Sequence, residues 1–289
     1  MVMPMSTPAS TREDATPRRR KSSTLGGETR NKSIPTGQIE LSNQHKLLSK
    51  SHKRRKPRSL LRRCRRFAIK HTWTFPLFLV LSALSLYAVN PTDSNITHHF
   101  IFLPYKLPTA PASSKPPQYG KGPWDIAFVF FYTIVLSFTR EFIMQEILRP
   151  LSRHYGLNSR SKQARFMEQM YTAVYFAPMG LFGLYVMSRT PVWYFNTRGM
   201  YESFPHKTHE AVVKFYYLFQ AAYWAQQAIV LLLRMEKPRK DFKELVGHHI
   251  VTLTLIALSY RFHFTYMGIA VYLTHDISDF FLAVSFFKT

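Results

Sequence analysis

From Trp73 onward the chain alternates between long apolar blocks and short polar stretches, whereas residues 1–59 contain no sustained apolar period. Six blocks, at about 73–89, 124–144, 167–187, 211–233, 245–260 and 266–287, approach the length at which a helix rising ~1.5 Å per residue crosses a ~30 Å hydrocarbon core. The pattern predicts an all-α fold, a polytopic membrane helical bundle with about six spanning helices. The first block, WTFPLFLVLSALSLYAV, is uncharged, and the second, WDIAFVFFYTIVLSFTREFIM, carries Arg140 and Glu141 near its far end.

Composition separates the N-terminal region from the rest. Residues 1–72 hold 19 of the 39 Lys and Arg but only Glu13, Asp14, Glu28 and Glu40 as acids, and so account for most of the net charge of +23. A segment rich in Ser, Thr, Pro and basic residues cannot bury enough surface to offset its ordering entropy, so a disordered basic cytosolic tail is expected over 1–72. The run KRRKPRSLLRRCRR can be read as a nuclear import signal, a nucleic-acid patch or a juxtamembrane polybasic segment. Its place directly before an apolar block favours the last, with anionic lipid rather than nucleic acid as the partner. Cys64 is the single cysteine, so an internal disulfide is excluded, and a bystander thiol is favoured over an acylated one. No basic n-region followed at once by an apolar core marks a cleaved signal peptide, which leaves targeting to the first span.

Loop charges then fix an orientation, because Lys and Arg of short loops collect on the cytosolic side. With the tail inside, loop 91–122 is lumenal with three lysines, and loop 145–166 is cytosolic with Arg149, Arg153, Arg160, Lys162 and Arg165. Loop 188–210 is lumenal with Arg189, Arg198 and Lys207; loop 234–244 is cytosolic with Arg234, Lys237, Arg239, Lys240 and Lys243. The sequon at Asn95–Thr97 falls on the lumenal side and makes Asn95 a glycosylation candidate. The Pro-rich loop 104–123 is expected to be extended and irregular. The implied organisation is a tail over 1–72, a first helix and lumenal loop over 73–123, and a helical domain over 124–289.

Charged and titratable groups at bilayer depth cost at least ~2.5–3.5 kcal/mol on insertion scales and therefore attract attention. The last two blocks contain His248 and His249, then His275, Asp276 and Asp279 in YLTHDISDFF. Asp276 and Asp279, three apart, share one helix face, whereas His248 and His249 diverge by ~100°. A carboxylate accepting from one imidazole nitrogen would make the other nitrogen a better base, able to take a proton from an amine or to attack an activated acyl group. Equally, the histidines can sit at the headgroup boundary while the aspartates satisfy backbone or Tyr donors. No series of His boxes supports a metal site, and no phosphate loop, Gly-x-Ser-x-Gly elbow or candidate Cys nucleophile is present. Gln220, Gln226 and Gln227 in LFQAAYWAQQAIVLLL read first as interhelical hydrogen-bonding groups.

The stretch 220–285, with EKPRKD, the His-His pair and the Asp-x-x-Asp pair, resembles the Lag motif region of fungal ceramide synthases, members of the TLC-domain membrane family. The likeness extends upstream through YTAVYFAPMGLFGLYVMSRTPVWYF and SFTREFIMQEILRPL, to cover about 124–285. It implies a TLC-type bundle and a sphingoid-base N-acyltransferase of the endoplasmic reticulum, multi-pass with a cytosolic N-terminus, joining an acyl-CoA to the amine of a long-chain base. It implies His248, His249, Asp276 and Asp279 as catalytic residues, no cofactor beyond acyl-CoA as substrate, and no metal. Arg239, Lys240 and Lys243 are candidates to attract the CoA phosphates. Membrane lipid, a second synthase chain and a small accessory subunit are compatible partners. Two departures stand out: the family pattern normally continues past the serine of FLAVS into further spans, so the domain is expected to be incomplete at the C-terminus, and Gly247 stands where a bulkier residue is expected. The rival reading is a non-catalytic TLC-type protein, or a truncated inactive isoform, that binds lipid or pairs with an intact synthase.

Overall fold

A computed structural model describes residues 63, 67, 70–108, 116–233 and 241–285. The expectations for most of the basic tail, for Cys64 and for Arg239 and Lys240 lie outside these residues.

Each of the six apolar blocks holds a helix over its described residues. They form α1 (Thr74–Val89), α3 (Trp124–Phe142), α5 (Arg160–Ser188), α6 (Ala211–Leu232), α7 (Phe242–Arg261) and α8 (Thr265–Ser285), with the short α2 (His98–Ile101) and α4 (Arg149–His154) between them. Among the described residues three continuous helices are long and apolar enough to cross a membrane: Trp124–His154, Arg160–Ser188 and Thr265–Ser285. α1 is apolar but shorter.

The second helix runs ten residues beyond the predicted block. Much of the expected loop 145–166 is therefore helical, and only Tyr155–Ser159 connects α4 to α5. Pro150, near the start of α4, has no N–H to give and its ring crowds the preceding turn; a six-residue π-helical segment, Ile143–Leu148, lies just upstream and lets the helix continue. Gly156 stops it, with φ +71 and its N–H on the Arg153 carbonyl. The extension gives α1 its footing: Trp73 Nε1 donates to Glu146 at 3.0 Å, His71 Nδ1 lies 2.9 Å from the same carboxylate, and Thr72 bonds to Glu141 and Gln145.

α6 occupies the middle of the bundle, packed against α3, α5, α7 and α8, and it buries the most side chains, among them Tyr216, Tyr217, Ala222 and Tyr223. α5 approaches α6 and α8 closely at Gly183, where an added methyl would stand 2.6 Å from Tyr216 Oη and 3.0 Å from Leu273 Cδ1. Tyr175 of α5 stacks on Tyr223 of α6, with centroids 3.7 Å apart and planes at 8°.

At the end of the bundle where Trp124, Ser188 and Thr265 lie, the loops are tied by polar bonds. The loop expected to be irregular contributes β1 (Gln118–Tyr119), which pairs antiparallel with β2 (His209–Glu210), so the all-α bundle carries one two-stranded ribbon. Lys214 Nζ lies 2.7 Å from Asp125 Oδ1 with both side chains buried, and donates to the carbonyls of Pro104 and Gly120 at 2.8 Å. Tyr260 donates to Asp125 Oδ2 at 2.7 Å. Lys121 donates to Tyr260 O and Thr265 Oγ1, and burial pushes its ammonium down to about 8.

Asn95 is held by its own turn. Its Nδ2 donates to the carbonyls of Leu86 and Asn90, and its Oδ1 accepts from Thr97 N and Oγ1.

Candidate functional site

α7 and α8 form an antiparallel pair joined by the turn Phe262–Phe264, and the residues singled out by their charge lie well away from that turn, in the first half of α7 and from the middle of α8 onward. His249 sits one turn after Leu245, and its Nδ1 lies 3.0 Å from the Leu245 carbonyl oxygen. A carbonyl only accepts, so Nδ1 carries the proton and Nε2 keeps the lone pair. His275 repeats the arrangement, with Nδ1 2.9 Å from Val271 O. A backbone carbonyl thus sets the tautomer, where the sequence suggested a carboxylate.

Trp224 of α6, only 8% exposed, is the wall behind the pair. Its ring meets His248 at 6.5 Å and His249 at 6.2 Å, edge to face in both cases, and the two imidazoles are themselves 5.7 Å apart at 81°.

The two aspartates have different surroundings although they share a helix face. Asp276 is wholly buried, and its Oδ2 accepts from Tyr216 Oη at 3.1 Å and from Gln220 Nε2. Gln220 in turn accepts from Tyr175 Oη at 3.1 Å, so one chain of hydrogen bonds links α5, α6 and α8. Asp276 Oδ1 has no hydrogen-bond partner among the described residues. Asp279, one turn on, is half-buried and within electrostatic reach of His248 and His275. Lys243 is exposed on the first turn of α7.

From His248 and His275 a groove of about 610 Å³ runs between α6, α7 and α8 to Phe262 and Phe264. Tyr217, Val251, Leu255, Ile256, Met267 and Val271 are among its walls. Along α7 it extends from residue 248 to 262, about 21 Å at ~1.5 Å per residue. Its apolar walls suit a hydrocarbon chain, and an imidazole at its end can exchange a proton with a polar group attached to that chain. Among the described residues no three His, Cys, Asp or Glu side chains converge as a metal set.

Of the set singled out in the sequence, the structure puts Asp279 within electrostatic reach of His248 and His275 and sets His249 beside His248, whereas Asp276 turns to Tyr216 and Gln220. It assigned the glutamines a helix-bridging part, which Gln220 plays. It did not reach Trp224, Tyr216 or Tyr175; the spacing of Tyr216, Gln220 and Trp224 at four-residue steps on one face of α6 is the signal that points to them.

Residues 165–289 match the family model of the TLC domain of TRAM, LAG1 and CLN8 proteins. The chain is similar to the sphingosine N-acyltransferase-like protein FUM17 of Gibberella moniliformis, 55% identical over 220 residues, covering 75% of this chain and 57% of that protein. It is similar to the sphingosine N-acyltransferase lac1 of Schizosaccharomyces pombe, 49% identical over 237 residues, covering 81% and 60%. The ceramide synthase LAG1 of Saccharomyces cerevisiae is 46% identical over 218 residues, covering 75% and 52%. The chain spans between about half and three-fifths of the length of these curated relatives.

Proposed function

We propose that this chain carries the reaction centre of a sphingoid-base N-acyltransferase, which moves an acyl group from acyl-CoA to the amine of a long-chain base. The observation that carries the proposal is the apolar groove that ends at His248 and His275. The names of the relatives supply the substrate class. The amine nitrogen attacks the thioester carbonyl, a C–N bond forms and the C–S bond breaks, the imidazole takes the proton shed by the attacking nitrogen, and that proton passes to the departing CoA thiolate. A thioester is already activated, so the protein supplies a base, orientation and shelter from water. His248 is the imidazole that faces the groove, His249 stands behind it with Nε2 basic, Asp279 stabilises the charge that develops on the pair, and Asp276 holds α8 in register with α6.

No cofactor beyond the acyl-CoA is required by this chemistry. Arg239, Lys240 and Lys243, at and before the start of α7, would draw in the CoA phosphates. We place the chain as a six-span protein of the endoplasmic reticulum membrane with its N-terminus cytosolic. Glycosylation of Asn95, on the lumenal face, would precede closure of the turn that engages its amide. A second synthase chain or a small accessory subunit remains compatible with this placement.

The test is mass-spectrometric detection of ceramide formed by the purified chain from acyl-CoA and sphingoid base, beside His248→Ala and His249→Ala. Product from the parent chain and its loss in both variants support the proposal. No product from a chain that still binds a sphingoid-base analogue would select the non-catalytic lipid-binding reading, and full activity in both variants would remove the imidazoles from the reaction.

A further inference from the structure

The loop between α5 and α6 presents five large aromatic side chains outward. Trp193, Tyr194, Phe195, Tyr201 and Phe204 are all exposed, Tyr194 at 81%. Tyr194 and Phe195 are consecutive and both left-handed, with φ +56 and +57. Side chains with a Cβ disfavour this region, and two in succession need a compensating gain.

Position indicates where the gain comes from. Three helices that are long and apolar enough to cross a membrane, among the described residues, each have an end here: Trp124 begins one, Ser188 closes another and Thr265 begins the third. The loop is fastened to that plane. Phe204 stacks on Phe264 with centroids 4.9 Å apart at 29°, His206 Nδ1 lies 3.1 Å from His263 O, and the His206 ring lies 4.1 Å from that of Tyr266. Five aromatic rings at the plane where apolar helices stop match the chemistry of the headgroup boundary, which takes an apolar ring body and a polar Tyr or Trp edge together. Arg198, between Phe195 and Tyr201, and Lys207, beyond Phe204, suit lipid phosphates.

We infer that residues 193–204 lie in the headgroup–acyl boundary of the leaflet at this end of the bundle, as an immersed lip beside the far end of the groove. The lip adjoins that end through Phe264, which both stacks on Phe204 and lines the groove. The partner is the bilayer surface. The inference does not depend on the proposed reaction.

A nitroxide on Tyr194→Cys, in a Cys64→Ser background reconstituted into vesicles of zwitterionic and anionic lipid, reads the depth directly. Collisions with oxygen and with a water-soluble nickel chelate should place the label about 5–10 Å below the phosphates. A label as open to the chelate as one in water would overturn the inference, as would strong label–label dipolar broadening, which would assign the patch to a second copy. Tyr201→Cys gives an independent reading if Tyr194→Cys fails to insert.

Discussion

The imidazole of His249 is tied to the carbonyl of Leu245, one turn earlier in the same helix, through Nδ1 at 3.0 Å. That bond makes Nε2 the nitrogen available for proton transfer. His249→Asn keeps a donor close to the position of Nδ1 and removes Nε2, so it separates orientation from chemistry. The expected result is correct membrane insertion with acyl transfer reduced by about 10²–10⁴-fold, the range for loss of a positioned base. Activity within tenfold of the parent chain would show that His249 serves only to hold its helix.

Lys214 and Asp125 form a buried ion pair at 2.7 Å that joins α6 to the start of α3. Removing one partner strands the other charge, and Lys214→Met or Asp125→Asn alone should cost about 3–5 kcal/mol. The double variant should cost less than the sum of the two, with a coupling of roughly 1–3 kcal/mol in denaturant or thermal unfolding. Strict additivity would mean that the carbonyls of Pro104 and Gly120 satisfy Lys214 without Asp125.

Asp276 depends on two donors from α6. Gln220→Leu and Tyr216→Phe each withdraw one of them from a buried carboxylate, at an expected cost of about 1–3 kcal/mol. If Asp276 acts by keeping α8 in register, acyl transfer should fall in proportion to the folded fraction. Activity lost from fully folded Gln220→Leu would instead bring Asp276 into the reaction itself.

His209 is buried beside Tyr266, its ring nitrogens have no hydrogen-bond partner among the described residues, and burial pushes its pKa down to about 3. Its unfolded value is near 6.5, so between about 6.5 and 3 the unfolded chain binds the extra proton. The contribution to stability is therefore complete above about 6.5 and is lost progressively as the pH falls toward 3. Melting temperature measured from pH 7 to pH 5 should drop, and His209→Phe should flatten that dependence; an unchanged slope in the variant would assign the acid sensitivity to other histidines.

Gly247 precedes the His pair in mid-helix, and an added methyl there meets nothing within 4 Å. Gly247→Ala should therefore stabilise α7 by up to about 1 kcal/mol through backbone entropy alone. A melting temperature that falls instead would mean that the open space is filled when α7 is packed in its membrane.

The helices were readable because each rests on a block of apolar residues, a property local to the sequence. The continuation to His154 was not, because Arg149 and Arg153 have the charge expected of a loop and the π-helical turn that accommodates Pro150 leaves no mark in composition. His248, His249 and Asp279 were legible for the opposite reason, since titratable groups within apolar blocks are costly enough to stand out. The environment of Asp276 was not legible: its donors, Tyr216 and Gln220, lie 60 and 56 positions away and are ordinary residues for a helix. Lys214 and Asp125 were passed over because a charge within a turn of a helix end is usually read as reaching for water.

Helix α7 fully buries none of its twenty residues, and among the described residues it packs mainly on α6 and α8. The imidazoles thus ride on an element whose remaining flanks belong to its surroundings. Thickness, lateral pressure and composition of those surroundings act on α7 before they act on the inner helices, and turnover by the His pair would track the lipid in which the chain is placed.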